Sequence, residues 1–264
     1  MEPSSAPASE ASLEVEDRKG GIRVLTLSHP ARRNALNDAL LARLDAALAP
    51  AAHVRVLLVR GAGGTFCSGY DLTRLGTPGE DGLLPDDLLV ACLLKLEGHP
   101  VPSVALVQGA AVGAGFDLAA SCDFRIGTPD AVFLMPPARL GIVYSPEGLA
   151  RAARLVGFAR AKQLFLAARK LDAREALAWG LLDECLERAD AEARAEALCA
   201  TLAAHAPLAV SGMKESFGRL ARAPLEEADR TRLRVLRAAA FGSEDAKEGR
   251  AAFLEKRPPR FTGR

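Results

Sequence analysis

A chain of 264 residues suits one large α/β domain with an appendage, or two small domains, and its 49% hydrophobic content supports a sizeable core and excludes general disorder. Its 34 basic and 33 acidic side chains leave a net charge of +1, so nucleic acid and anionic membrane surfaces have no electrostatic footing at the whole-chain level. No apolar run reaches the roughly 20 residues of a membrane span, and neither a nucleic-acid nor a membrane partner is expected.

Residues 1–12 are rich in Ser, Ala, Pro and Glu without an apolar centre, which reads as a disordered leader rather than a signal peptide. Leu13–Glu16 and Ile22–Leu27 alternate as a hairpin turning at Lys19-Gly20-Gly21. Asn37 is placed to cap a helix over 38–49, whose leucines fall at helical spacing; Arg32 and Arg33 precede it, exposed, as solvated charge or as phosphate contacts. Val54–Arg60 reads as a buried strand and runs into a glycine turn, Gly61 to Leu72. Residues 76–84 form a Gly/Pro/Asp-rich loop, and 86–96 a helix. Five scattered cysteines (Cys67, Cys92, Cys122, Cys185, Cys199) lack metal-ligand spacing and read as buried thiols in a reducing cytosol, so no metal and a cytoplasmic location are expected.

The strand over 102–107 opens a second glycine turn, Gly109-Ala110-Ala111-Val112-Gly113-Ala114-Gly115, which enters a short apolar helix. A helix starting at Ala114 or Gly115 leaves its first N–H groups without partners inside the helix, and these favour negative charge. Taken alone, the stretch is equally a tight turn packed for space. It is not a dinucleotide fingerprint, because Leu118 stands where the third glycine belongs. Two such strand–glycine–helix passages in one domain are what a pair of backbone donors around one developing oxyanion requires. Short strands follow at 123–127 and 131–134, then a loop over 135–144. Ser145-Pro146-Glu147 reads as N-cap, first helical position and acidic first turn. Helices are expected over 148–156, 159–167, 172–179, 189–205, 210–221, 225–241 and 243–257, ending at Pro258-Pro259. Repeated ββα passages that return to glycine turns point to a stacked spiral rather than a doubly wound sheet.

Five markers in order carry a family resemblance: His29-Pro30…Asn34-Ala35-Leu36-Asn37, Phe66-Cys67-Ser68-Gly69-Tyr70-Asp71-Leu72, the 109–123 stretch, Leu171-Asp172-Ala173…Ala178-Trp179-Gly180-Leu181-Leu182, and Ala252-Phe253-Leu254-Glu255-Lys256-Arg257. With these, the chain resembles the crotonase superfamily, the enoyl-CoA hydratases and isomerases, from Leu13 to the end. The resemblance implies an α/β crotonase-like fold with a ββα spiral acyl-CoA-binding core over 13–200. It implies a helical C-terminal region over 201–264 that drives assembly into a homotrimer or a dimer of trimers. No cofactor is implied, coenzyme A being part of the substrate. The thioester oxygen would sit between the backbone N–H groups of Tyr70 and Ala114. Arg32 or Arg33 would hold the CoA phosphates, and Phe253 and Lys256 would meet the nucleotide in a neighbouring subunit.

The sequence also departs from that pattern. Hydratases of the family carry two glutamates around one water; here the first position is Asp117 and the second is Pro137, which has no acid, base or donor. Asp117 is then either a proton-shuttling base in an apolar helix turn or a carboxylate satisfying helix-start N–H groups. Glu147 is an acidic residue near the lost position, or simply part of the helix start. Tyr144 lies in a loop similar to that of methylmalonyl-CoA decarboxylases, where a tyrosine faces the substrate carboxylate; otherwise it is an aromatic packed on the core. Tyr70 puts a phenol where that group has a histidine. Isomerisation of an enoyl-CoA by one carboxylate is the leading expectation, decarboxylation of a malonyl-type CoA the second, and a non-catalytic acyl-CoA-binding protein the third. A serine hydrolase is excluded because no His accompanies a nucleophile elbow.

Overall fold

Alternating aliphatic residues on either side of Gly20-Gly21 fold the first described stretch back on itself. Strands β1 (Ser12–Arg18) and β2 (Ile22–Ser28) pair antiparallel in register from Ser12↔Ser28 to Arg18↔Ile22. The computed structural model describes residues 11–72, 84–205, 207–221, 231, 234–235, 238 and 241–257. The leader up to residue 10, most of the 76–84 loop, most of the 225–241 helix and Pro258-Pro259 lie outside the described residues.

Strand β3 (Val56–Gly61) adds parallel to β2, followed by β4 (Ser103–Val107), β6 (Phe124–Gly127) and the two-residue β9 (Glu184–Cys185). The six strands take the order β1-β2-β3-β4-β6-β9. A second sheet of three strands, β5 (Ala110–Val112), β7 (Val132–Leu134) and β8 (Leu171–Asp172), lies in the order β5-β7-β8. The chain steps from the first sheet to the second and back, β4 to β5, then β6 to β7, with a helix closing each step, which is the expected ββα spiral. The sequence showed no strand at 110–112, because three short residues between glycines carry no period-2 signal.

Both faces of the large sheet are buried, which is why its strands read as near-continuous apolar runs. Val24, Val56, Leu58, Val104 and Ile126 face helix α7 (Arg188–Ala204) through Ala191, Ala195 and Cys199. The alternate residues Leu25, Leu27, Leu57, Val59, Ala105 and Val107 face the main core. That core takes in the inner faces of α1 (Asp38–Ala47), α2 (Asp87–Glu97) and α3 (Ala114–Ser121), the last buried at every residue. The Asn37 side chain accepts from Leu40 N at 2.9 Å, so the expected cap is in place. Helices α4 (Pro146–Val156), α5 (Phe158–Phe165), α6 (Ala173–Ala178) and α8 (Pro207–Leu220) complete the body. The last described helix, α9 (Glu244–Leu254), lies against a 3-10 turn at Pro137–Leu140.

All five cysteines are free and four are buried. Burial pushes the thiols of Cys67, Cys92, Cys122 and Cys199 up to about 12, and that of Cys185 upward as well. A thiol must ionise to react. In the native protein at pH 8, a maleimide is therefore expected to modify Cys185 at most, the other four reacting only after denaturant. Mass spectrometry of the labelled protein checks this. Labelling of Cys67 in the native state would mean that the glycine corner beside it opens.

Candidate active site

The two glycine corners meet because their flanking segments are hydrogen-bonded side by side. Phe66 N donates to Gln108 O (2.7 Å), Cys67 N to Ala110 O (2.9 Å) and Val112 N to Cys67 O (3.0 Å). At Gly115 the approach is so close that a Cβ would lie 2.2 Å from Cys67 O. Gly69 (φ +111°) and Gly113 (φ +53°) take backbone conformations that a side chain would strain. The first corner is braced from outside by Asn34, buried, whose amide accepts from His29 N and donates to Ala62 O and Thr65 O.

Just past these glycines stand Tyr70 and Ala114. Both line a cavity of about 670 Å³. Among the described residues, neither backbone N–H donates to a protein acceptor. Ala114 is the first residue of α3, where an N–H has no intrahelical partner.

Deeper in, the cavity is walled by Leu89, Pro137, Leu140, Ile142 and Tyr144. Tyr144 is seated on Phe165, ring centroids 5.5 Å apart, and its hydroxyl donates to Asp117 Oδ2 at 3.1 Å. Burial and the neighbouring Asp117 carboxylate push the Tyr144 phenol well above its ordinary value, so it stays protonated at every physiological pH. Asp117 itself is 2% exposed and is not part of the cavity wall. Its other oxygen, Oδ1, takes Arg151 Nη1 at 2.5 Å. The expected shuttling base thus stands behind Tyr144 with both oxygens engaged. It does not satisfy the start of α3 either: its partners are side chains. Glu147, in the first turn of α4, does not line the cavity, so the place left by Pro137 has no substitute carboxylate there.

Tyr70 turns its phenol outward to Asp38 Oδ1 (2.5 Å), and burial together with that carboxylate raises its pKa. Asp71 and Asp86 also line the cavity, and both have other partners.

At the mouth, Arg32 and Arg33 are exposed and line the cavity together. Phe253 reaches it from α9 of the same chain, whereas Lys256 does not; Arg257 does, held by Glu248 and Glu255. Gly249 is the reason α9 can lie so close, since a Cβ there would be 2.5 Å from Leu140 O. Phe253 thus lines the cavity of its own chain.

Sequence reading missed Arg151 and Gly148. The signal was present: both fall on the inward stripe of α4 with Ala152, and a charged residue on an apolar stripe needs a buried partner.

A family model described as Enoyl-CoA hydratase/isomerase matches residues 17–264. A probable enoyl-CoA hydratase echA6 of Mycobacterium tuberculosis is 35% identical over 246 residues, covering 92% of this chain and 96% of that protein. A methylmalonyl-CoA decarboxylase of Escherichia coli K12 is 31% identical over 247 residues, covering 92% and 95%. A crystal structure of methylmalonyl-CoA decarboxylase complexed with 2S-carboxypropyl-CoA superposes with a TM-score of 0.89 at 29% identity, covering 97% of this chain and 100% of that one.

Proposed function

The chain belongs to the enoyl-CoA hydratase/isomerase family, with its crotonase-like α/β fold, and from that premise we propose that the cavity takes an acyl-CoA thioester and stabilises its enolate between the Tyr70 and Ala114 amides. The observation that carries this is the pair of backbone donors, from two adjoining corners, that open on one cavity without protein acceptors. Such donors act where charge develops and need no reorganisation during reaction. Arg32 and Arg33 would hold the CoA phosphates and Phe253 the nucleotide; Lys256 stands outside the wall and would act on the CoA only beyond it.

The reaction we read for this site is decarboxylation of a malonyl-type acyl-CoA. The C–C bond to the carboxylate breaks, its electron pair moves onto the thioester oxygen, and CO₂ leaves. The Tyr144 O–H then turns from Asp117 to the α carbon and gives its proton there, and solvent returns a proton to the phenolate. No base is required, which suits a wall whose only carboxylates among the described residues, Asp71 and Asp86, already have other partners. The similarity to methylmalonyl-CoA decarboxylases supports the same reading. Isomerisation, the leading expectation from the sequence, loses support because Asp117 is paired with Arg151 and lies outside the wall. Hydration loses it because Pro137 and Tyr144 stand at the acyl end without two carboxylates. Assembly into a trimer or a dimer of trimers belongs to the same proposal, supported by the exposed apolar Met213 and Phe217 on α8 and read out by light scattering.

The test is a panel of malonyl-, methylmalonyl- and enoyl-CoA esters followed by mass spectrometry. CO₂ release with formation of the shorter acyl-CoA is expected, and no hydration above background. Double-bond migration without CO₂ release would restore the isomerase. Binding of every ester without turnover would make the protein an acyl-CoA carrier.

A further inference from the structure

We propose that Arg151 is a positioning residue of this site: its ion pair with Asp117 holds that carboxylate as the acceptor of Tyr144 and so fixes where the Tyr144 hydroxyl stands at the acyl end of the cavity. The inference deepens the enolate reading and rests on it for its catalytic consequence. Its geometric part stands alone.

Arg151 is 3% exposed and does not itself line the cavity. Its Nη1 meets Asp117 Oδ1 (2.5 Å) and its Nη2 meets Glu97 Oε2 (2.9 Å), while Arg154 takes the other oxygen of Glu97 at 2.5 Å. The cation thus joins α2, α3 and α4 behind Tyr144. Among the described residues, Arg151 Nε is buried with no hydrogen-bond partner. A core built for stability alone has little use for a guanidinium with an orphaned N–H, since apolar residues of similar volume serve as well. What the cation supplies is countercharge at the one point where Asp117 needs it. Burial lowers the Arg151 pKa, but the carboxylates of Asp117 and Glu97 outweigh burial and raise it, so it remains charged.

One turn earlier on the same face, Gly148 makes the space for the arrangement. A Cβ there would lie 2.4 Å from Tyr144 Cε1 and 2.8 Å from Asp117 Oδ2. Glycine and arginine, three residues apart, therefore serve one contact: the first admits the ring, the second aims its acceptor.

Without Arg151, Asp117 Oδ1 loses its cation, and the carboxylate is no longer held with Oδ2 at the Tyr144 hydroxyl. Among the described residues, the charged or titratable groups that face this pair are Tyr144 and Arg151 from the α4 side, Glu97 from α2 with Arg154 behind it, and Asp86 at longer range.

The experiment uses the full chain with Arg151→Met, Arg151→Lys and the double variant Arg151→Met/Asp117→Asn, which removes both charges and so protects folding. The first readout is NMR of ¹³Cζ-tyrosine, clean because the chain has two tyrosines; Tyr70→Phe assigns them. Arg151→Met is expected to move the Tyr144 signal and leave Tyr70 in place. The double variant is expected to move it as well, and Arg151→Lys to keep the wild-type signal. The second readout is turnover: kcat falls about 10²-fold in Arg151→Met with KM little changed, in keeping with the cost of a misplaced catalytic group, and Arg151→Lys restores it. A Tyr144 signal unmoved in both Met variants overturns the proposal. If the signal moves as expected and no acyl-CoA is turned over by any form, the positioning stands and the decarboxylase reading falls.

Discussion

Gly115→Ala is expected to destabilise the protein by about 3 kcal/mol and to cut acyl-CoA turnover by about 10²- to 10³-fold. The added methyl would meet Cys67 O at 2.2 Å and Cys67 C at 2.9 Å, and both are backbone atoms of a hydrogen-bonded segment that has no slack. Either α3 moves off the 66–70 segment or that segment moves off β5. In both cases the Tyr70 and Ala114 amides separate. Losing one correctly placed donor costs roughly 10²- to 10³-fold in rate at sites of this kind. At roughly 2–4 °C per kcal/mol for a chain of this size, the melting temperature should fall by about 10 °C. Thermal unfolding followed by circular dichroism, beside a turnover assay, measures both effects. A variant with unchanged melting temperature and rate would show that the two corners are not in register as described.

Tyr144→Phe is expected to act on chemistry with little effect on folding. The ring keeps its seat on Phe165, and Asp117 keeps Arg151 at Oδ1, so only the hydroxyl at Oδ2 is lost. The stability cost should stay within about 1–2 kcal/mol, the range for leaving one buried acceptor unpaired. Under the proposed decarboxylation, however, the α carbon of the enolate would lose its proton donor. A general acid contributes typically 10²- to 10⁴-fold, so kcat for CO₂ release from a malonyl-type CoA should drop by about 10³-fold with KM nearly unchanged. Stopped assays over a range of substrate concentration separate the two constants. An undiminished kcat would remove Tyr144 from the mechanism and leave proton delivery to solvent.

How much of this was legible in the sequence follows from how local each signal is. The Asn37 and Ser145 caps are local, and both side chains accept the expected N–H. The long strands carried their period in their own residues. Strands β5, β8 and β9 did not, because runs of two or three residues are set by what lies beside them rather than by what they contain. The two glycine corners were legible because glycine spacing and a helix start are properties of consecutive residues. The fate of Asp117 was not, because its cation comes from 34 positions away on another helix. Burial without a partner and burial with one look alike in a string of letters, and they give opposite chemistry: a base in the first case, an anchored acceptor in the second.

The cavity wall begins at Ala31 and is finished by Phe241, Gly249, Ala252, Phe253 and Arg257. More than two hundred residues of polypeptide therefore separate the first contribution from the last. During translation, a ribosome-bound chain that already has both sheets in place still presents an open trough. Only when the segment around Arg257 has cleared the exit tunnel can the last part of the wall be laid down.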